Sequence, residues 1–151
     1  MTDFVLEEFL PYQIAELSRG MSGAFSRHYR DRYGISVSEW RVVAHLSQEE
    51  AVSVREICRR VGMDKPKVSR AASRLQAAGY VTKVENAQDR RLVQLSLTES
   101  GRDMIDTLAP IAAAYHAELI AALGDGAEAF LAQVEKLREA SDGARKDSPA
   151  P

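Results

Sequence analysis

The fold is decided by residues 53–79, which read SVREICRRVGMDKPKVSRAASRLQAAG. Ser53, with Glu56 three residues later, is a capping signal that predicts a short helix. Asp64 is placed to cap a second helix, and Pro66 is tolerated in its first turn because the N–H that proline lacks would be unpaired there. Two short helices joined by a tight glycine-containing turn, the second of them basic, are typical of a helix-turn-helix.

The second of these helices carries side chains suited to reading DNA. Its predicted inward stripe is Val68, Ala72 and Leu75, which leaves the basic residues on other faces. The major groove of B-DNA is about 12 Å wide and admits one helix, whose N-terminal residues meet the base edges. Arginine and lysine donate to guanine, and serine can bond several base edges. The predicted major-groove residues are Lys65, Pro66, Lys67, Ser69, Arg70 and Arg74. Among them, Pro66 offers only apolar contact, and Arg74 suits a phosphate better than a base.

Residues 80–97 change to strand-like spacing, which predicts a β-hairpin. Arg90 and Arg91 lie near its tip, where a wing would reach the minor groove, whose negative potential attracts arginine. The neighbouring Asp89 can hold one guanidinium in a fixed orientation through a charge-assisted pair. The sequence therefore predicts a basic wing beside the helix-turn-helix.

Long helices are predicted on both sides of this core. Apolar residues at steps of three and four run through residues 4–33, and Ser36 opens a further helix that buries Trp40. After the hairpin, an alanine-rich helix is expected from Thr98 to about residue 123, followed by a last helix to about residue 140. Residues 141–151 have almost no apolar content and are predicted to be a disordered tail.

The charge is distributed unevenly along the chain. Residues 53–98 contain ten basic and four acidic side chains, a net charge of +6, so with −2 for all 151 residues the remainder carries −8. A basic middle between acidic ends suggests a surface for a polyanion carried on a scaffold that does not touch it. Composition alone leaves a solvated helix face as the alternative.

The composition also limits the class of protein. A single cysteine, Cys58, excludes an intrachain disulfide framework and fits a reducing compartment. No uninterrupted apolar run reaches the roughly 18 residues that a membrane span needs, and the N-terminus has no signal-peptide character. We therefore expect a cytoplasmic protein that does not use a membrane.

Several strings resemble a known family. Residues 89–98, DRRLVQLSLT, are similar to the D-x-R-x-x-x-V-x-L-T wing signature of the MarR family, with Leu95 in place of the usual valine. Residues 54–65, 74–81 and 39–43 are similar to that family's helix-turn-helix and second helix. The resemblance covers roughly residues 5–140, and it implies Arg91 in the minor groove, supported by Asp89. Pro66 and Lys67 stand where small hydroxyl residues are frequent in the family, so the base preference does not carry over.

The resemblance further implies a mainly α (α+β) winged helix-turn-helix with long N- and C-terminal dimerisation helices. The expected organisation is an N-terminal dimerisation helix (1–35), a DNA-binding domain (36–98), C-terminal dimerisation helices (99–140) and the tail (141–151). The homodimer would bind double-stranded DNA at a pseudo-palindromic operator with half-sites about 10 bp apart. Repression is the family's usual mode. The apolar excess of the long helices has burial within one chain as its alternative.

Family members commonly respond to a small effector, often aromatic or anionic, in the crevice between the dimer helices and the DNA-binding domain. Rings to stack a ligand and cations to hold a carboxylate are the side chains expected there. The candidates are Tyr12, Arg19, Phe25, His28, Tyr29, Trp40, Arg41 and His45. Core packing is the alternative for Phe25 and Trp40, and a pair with Asp31 or Glu39 is the alternative for Arg41.

Other classes of function have less support in the sequence. Cys58 beside several arginines keeps a thiol redox sensor open. No ligand spacing for a metal and no enzyme motif such as GxSxG, Walker A or HExxH is present, so neither a cofactor nor catalysis is indicated. A winged helix used only for protein contacts would not need Lys67, Arg90 and Arg91 on one surface.

Overall fold

We describe the protein from a computed structural model, in which residues 3–89 and 93–146 are described. The chain is mainly helical with one small sheet. Its helices are α1 (Leu10–Tyr33), α2 (Val37–Leu46), α3 (Val54–Val61), α4 (Lys65–Ala77), α5 (Glu99–Leu123) and α6 (Ala127–Lys146), with 3-10 turns at Leu6–Glu8 and Gly124–Gly126. Its strands are β1 (Val52–Ser53), β2 (Val81–Glu85) and β3 (Val93–Leu97). The predicted mainly α winged helix-turn-helix is confirmed.

The helices begin and end where their capping residues predict. Ser36 and Glu39 form a complete capping box, in which the Glu39 N–H donates to Ser36 Oγ at 3.2 Å and the Ser36 N–H donates to the Glu39 carboxylate at 2.5 Å. Gly34 ends α1 and Gly62 ends α3, both with φ of 65°, a left-handed conformation that favours glycine. Pro11 lies in the first turn of α1, which begins at Leu10. The proline therefore lies where its missing N–H would be unpaired in any case.

Helices α2, α3 and α4 pack around a fully buried apolar core. Ile57 of α3 and Val43 of α2 have no exposed surface, and neither have Val68 and Leu75 of α4. Because the inward stripe of α4 is used in this way, its basic residues remain on the outside. The core thus fixes which side of α4 is available to a partner.

The sheet is antiparallel with the strand order β1-β3-β2. In the hairpin, Val81 pairs with Leu97 and Glu85 pairs with Val93. The predicted hairpin is confirmed, but β1 was missed. Its two residues pair with β3, and a strand this short has no alternation that a sequence pattern can reveal.

The chain divides after Ile111 into two compact units. The first turns of α5 belong to the core of the first unit, and the division at residues 35 and 98 into dimerisation and DNA-binding segments stays a prediction. Met104 and Leu108 have no exposed surface there, and Gly101 is buried. In the second unit, which holds the rest of α5 and α6, Phe130, Leu131 and Leu137 are exposed.

The last helix is longer than predicted. Residues 141–146, expected to begin a disordered tail, continue α6 to Lys146. A glycine inside a helix costs only about 1 kcal/mol relative to alanine, so Gly143 does not end it. The hydroxyl of Ser141 also donates to the carbonyl of Leu137 at 2.8 Å, a helix-compatible bond. Residues 147–151 lie outside the described part of the chain.

One helical run in the described residues, Glu99–Ala144, contains an 18-residue window with a mean hydropathy of 1.2, which is long and apolar enough to cross a membrane. Only 6% of its most apolar window is buried within the chain. Hydropathy of this size is equally typical of a helix that packs against other protein. The hydropathy of this run is therefore weak support for a membrane span. Its low burial identifies an apolar surface that one chain leaves uncovered.

Candidate nucleic-acid interface

The N-terminal cap of α4 orients the predicted major-groove residues. Asp64 Oδ1 accepts a hydrogen bond from the Lys67 N–H at 2.8 Å. Pro66 lies in the first turn, where its missing N–H leaves nothing unpaired. The carboxylate of Asp64 is thereby committed to the helix end, and the side chain of Lys67 is exposed.

All six predicted major-groove residues lie on α4, and none belongs to its buried side. Lys65, Pro66, Lys67, Arg70 and Arg74 are exposed, and Ser69 is half-buried. Four cations within ten residues of one helix, without a carboxylate among them, make a strongly positive surface. Such a surface attracts phosphate and offers hydrogen-bond donors to base edges.

The wing tip is only partly described. Asn86 forms a side-chain turn, since its Oδ1 accepts from the Gln88 N–H at 2.9 Å. Asp89 is half-buried at the end of the described turn. Arg90 and Arg91, the predicted minor-groove residues, lie outside the described residues, so their position relative to Asp89 stays a prediction.

A contact between the hairpin and α4 was missed by the sequence reasoning. Lys83 Nζ of β2 lies 3.3 Å from Ser73 Oγ on the exposed side of α4. Lys83 is one of the ten basic residues of segment 53–98, and no local pattern indicates its contact, because the partner is ten residues away on a different element. The contact ties the first strand of the wing to the helix beside it.

The arginines of α3 differ in their availability. Arg60 is held by two carboxylates, 3.0 Å from Glu49 and 3.4 Å from Glu56. Arg55 and Arg59 are exposed on the same helix, outside these ion pairs. Part of the +6 charge is therefore neutralised inside the chain, and the free cations concentrate beside α4.

A cavity of about 490 Å³ opens between α3, α4 and the hairpin. Its walls are mainly apolar, with three cationic side chains around them. The lining residues are Ser53, Val54, Arg55, Cys58, Met63, Asp64, Lys65, Ser69, Ala72, Lys83 and Val93. Two predicted DNA contacts, Lys65 and Ser69, thus share a cleft with the single cysteine, which is half-buried.

Four of the predicted effector residues form one aromatic cluster between α1 and α2. The ring of Phe25 lies 5.3 Å from Trp40 and 5.5 Å from His28, and Tyr29 stacks on Trp40 at 5.4 Å with an interplanar angle of 17°. Phe25 and Tyr29 are buried, Trp40 is half-buried and His28 is exposed. The cluster therefore combines core packing with an accessible edge.

Two polar atoms on α1 and α2 are buried and unsatisfied, one of them in this cluster. The hydroxyl of Tyr29 and Nε2 of His45 are buried, and neither has a hydrogen-bond partner among the described residues. Burial raises the pKa of the Tyr29 phenol, against the opposing charges of Arg30 and Arg41. A buried hydroxyl without a partner is costly, so it marks either a strained core or a place where another molecule can bond.

The remaining effector candidates lie apart from the rings. Arg19 is at the surface and pairs with Glu16 at 2.5 Å. Tyr12 is half-buried near the start of α1, without a ring contact to the cluster in the described part of the chain. Arg41 is half-buried and close enough to influence the charge of Tyr29. Of the two predicted arginine partners for a carboxylate, only Arg41 accompanies the cluster.

No metal site is found in the described residues. No group of three or more histidine, cysteine, aspartate or glutamate side chains converges there.

The chain is similar in sequence and structure to known transcriptional regulators. Residues 33–92 match a family model described as MarR family. The HTH-type transcriptional regulator SarZ of Staphylococcus haemolyticus is 27% identical over 84 residues, which are 56% of this chain and 57% of that protein. The alignment thus spans less than two thirds of this relative's length.

Solved structures extend the similarity to most of the chain. A MarR family transcriptional regulator from Silicibacter pomeroyi is 29% identical, with a TM-score of 0.74 over 89% of this chain and 98% of that one. BpsR of Bordetella bronchiseptica shares the fold at 21% identity, with a TM-score of 0.76 over 92% of this chain and 97% of that one. The relatives are transcriptional regulators, a non-enzymatic class, and they do not favour the redox-sensing alternative for Cys58.

Proposed function

Since this chain belongs to the MarR family of winged-helix transcriptional regulators, we propose that it acts as a homodimeric, sequence-specific DNA-binding repressor released by a small effector. The observation that carries the proposal is α4. Its apolar side is completely buried in the core, and its other sides expose Lys65, Lys67, Arg70 and Arg74. These four cations therefore do not take part in core packing, and DNA is the partner that they fit.

In this proposal α4 enters the major groove, and the wing residues Asp89, Arg90 and Arg91 serve the adjacent minor groove. The exposed Arg55 and Arg59 of α3 add phosphate contacts to the six residues predicted on α4. Phosphate contacts supply affinity and orientation, whereas contacts to base edges supply specificity. The uneven charge of the chain fits this division, because the acidic segments lie outside the DNA-binding region.

The homodimer is supported by apolar surfaces that one chain leaves exposed. Leu10, Ile14 and Leu17 follow one another along α1 at helical spacing, each more than 40% exposed. In the second unit, Phe130, Leu131 and Leu137 of α6 are exposed as well. We propose that a second copy covers these residues, as an alternative to lipid for the apolar run Glu99–Ala144. Such a dimer would present two reading helices to a pseudo-palindromic operator.

The effector is proposed to bind at the aromatic cluster. Supporting features are the accessible edges of His28 and Trp40, the neighbouring cation of Arg41 and the unpartnered hydroxyl of Tyr29. This combination suits a small planar molecule with an acidic or acceptor group. In BpsR, whose fold is the same, DNA binding is regulated by 6-hydroxynicotinic acid. For this chain the proposed effector site rests on the residues of the cluster.

Footprinting on the DNA that flanks the protein's own gene tests the proposal. We expect one protected, roughly two-fold symmetric site whose occupation falls steeply with salt concentration. Arg91→Ala should weaken binding to this site, and Lys67→Ala should do so independently. A panel of small aromatic acids, added to the bound complex, should contain members that release the DNA. Failure of the dimeric protein to protect any duplex contradicts the proposed function.

A further inference from the structure

The outermost line of α4 consists of Pro66, Arg70 and Ser73. An α-helix turns about 100° per residue, and the four buried residues of α4 occupy one side, which places these three on the opposite side. All three are exposed and follow one another at steps of four and three residues. When the helix lies in a groove with its buried side toward the protein, this line faces the base edges.

Among these three residues, Arg70 alone has several side-chain hydrogen-bond donors without a partner in the described residues. Pro66 has no polar side chain, and the hydroxyl of Ser73 already contacts Lys83 Nζ at 3.3 Å. Arg70 has no side-chain hydrogen bond or ion pair within the part of the chain that is described. Its guanidinium presents a fork of N–H donors with fixed geometry.

The chemistry of the remaining residues limits which bases α4 can recognise. Residues 65–74 contain no aspartate, glutamate, asparagine or glutamine, the side chains that pair with cytosine N4 or with adenine N6 and N7. The nearest carboxylate, Asp64, accepts the Lys67 N–H at 2.8 Å as the helix cap. The exposed residues between 65 and 74, the leading part of α4, therefore read bases by donating hydrogen bonds, apart from the hydroxyls of the serines.

Guanine is the base that matches a forked donor. It presents two neighbouring acceptors, O6 and N7, in the major groove, whereas adenine and thymine each present one acceptor there. Arginine can donate to both guanine atoms at once. Lys67 and Arg74 lie to one side of the outer line, where a point charge or a long side chain meets the phosphates more readily than the bases.

We propose that Arg70 determines specificity by reading one guanine in each operator half-site, with Pro66 against a thymine methyl group about two base pairs away. Four residues of helix rise about 6 Å, and base pairs are about 3.4 Å apart along the duplex, which sets this spacing. The inference rests on the proposed function, since it specifies the DNA sequence that the same helix recognises.

The experiment begins with operator duplexes selected by the wild-type protein from random DNA. Each half-site guanine is replaced in turn by 7-deazaguanine, which lacks the N7 acceptor, and the dissociation constant is measured by fluorescence anisotropy. One guanine per half-site should stand out, with affinity reduced about 5-fold or more and by up to about 150-fold when its G·C pair is exchanged for A·T. Arg70→Ala should bind the unmodified operator with a comparable loss and show no additional loss at that guanine.

Arg74→Ala is the matched control, because it removes another exposed cation from the same helix. It should weaken binding to every duplex while keeping the full sensitivity to 7-deazaguanine. The melting temperature of Arg70→Ala should equal that of the wild type, since the side chain is exposed. Equal sensitivity of the wild type and Arg70→Ala at every guanine overturns the inference, as do selected half-sites without guanine. If the wild type binds no duplex at all, the proposed function fails with it, which is a different and recognisable outcome.

Discussion

Gly101 lies directly against the backbone carbonyl of Tyr80, so closely that a Cβ atom at this position would overlap the Tyr80 oxygen. The same carbonyl accepts the Thr98 N–H at 3.0 Å, and the Thr98 hydroxyl donates to the Gly79 carbonyl at 2.6 Å. Thr98 Oγ1 also accepts the Gly101 N–H at 3.1 Å. The start of α5 is therefore fixed to the turn between α4 and β2.

Gly101→Ala should destabilise the protein, because the added methyl group meets backbone that cannot rotate away. Overpacking of this kind typically costs about 1–3 kcal/mol. Urea denaturation followed by circular dichroism measures the change. If the contact between Gly101 and Tyr80 also positions α4, the operator affinity of the folded variant should fall as well.

Gly20→Ala is the control for this experiment. Gly20 lies inside α1, and nothing lies within 4 Å of the position that its Cβ would occupy. Alanine should there raise the free energy of unfolding by about 0.5–1 kcal/mol through helix propensity. Equal effects of the two substitutions would contradict the close packing at Gly101.

The contact between Gly101 and Tyr80 could not be predicted from the sequence, unlike the helix starts. Capping residues such as Ser36 and Asp64 act on backbone groups three residues away, so their signals are local and predicted the starts of α2 and α4. The partner of Gly101 lies 21 residues earlier on another element. No local pattern reports such a contact.

The same limit applies to the candidate site. The exposed residues of α4 follow from helical periodicity, and the sequence predicted them. The link from Lys83 to Ser73, the ion pairs of Arg60 and the cavity beside Cys58 depend on how separate elements meet. They required the three-dimensional arrangement.

Tyr29→Phe should stabilise the protein in the absence of an effector. The substitution removes a buried hydroxyl that has no partner among the described residues, and such a group costs about 1–3 kcal/mol. We expect the free energy of unfolding to rise by about 1 kcal/mol in chemical denaturation near pH 7. Tyr33→Phe, which changes a half-buried tyrosine in the same helix, is the control and should be close to neutral.

The pH dependence of stability gives a second measurement on Tyr29. Its pKa is raised in the folded protein above the ordinary value of 10.0, so the folded state holds the proton more tightly than the unfolded state. This contribution to stability is complete below pH 10 and is lost as the pH rises beyond it. The decline above pH 10 should therefore be shallower in Tyr29→Phe, and an unchanged slope would contradict the burial of this hydroxyl.

Arg74→Ala and Arg60→Ala should separate the cations that meet DNA from those used inside the chain. Arg74 is exposed on α4, whereas Arg60 is engaged by Glu49 and Glu56. Each phosphate contact that is lost reduces the magnitude of the slope of log K against log salt concentration by about one. We expect such a reduction for Arg74→Ala in anisotropy titrations between roughly 50 and 200 mM salt, the range over which phosphate contacts dominate. The slope for Arg60→Ala should change little.

Operator DNA should protect Cys58 from alkylation. The thiol lines the cavity that also contains Lys65 and Ser69, so a duplex held by α4 would cover the mouth of this cleft. Because Cys58 is the only cysteine of the chain, the rate of reaction with N-ethylmaleimide, followed by mass spectrometry, reports on this one position. The rate should fall several-fold with saturating operator and recover at high salt, where phosphate contacts are lost. Lys67→Ala, which leaves the cavity lining intact, should shift the protection to higher DNA concentration without changing the rate in free protein. A thiol that reacts equally fast in the complex would show that α4 does not approach DNA from the side of this cavity.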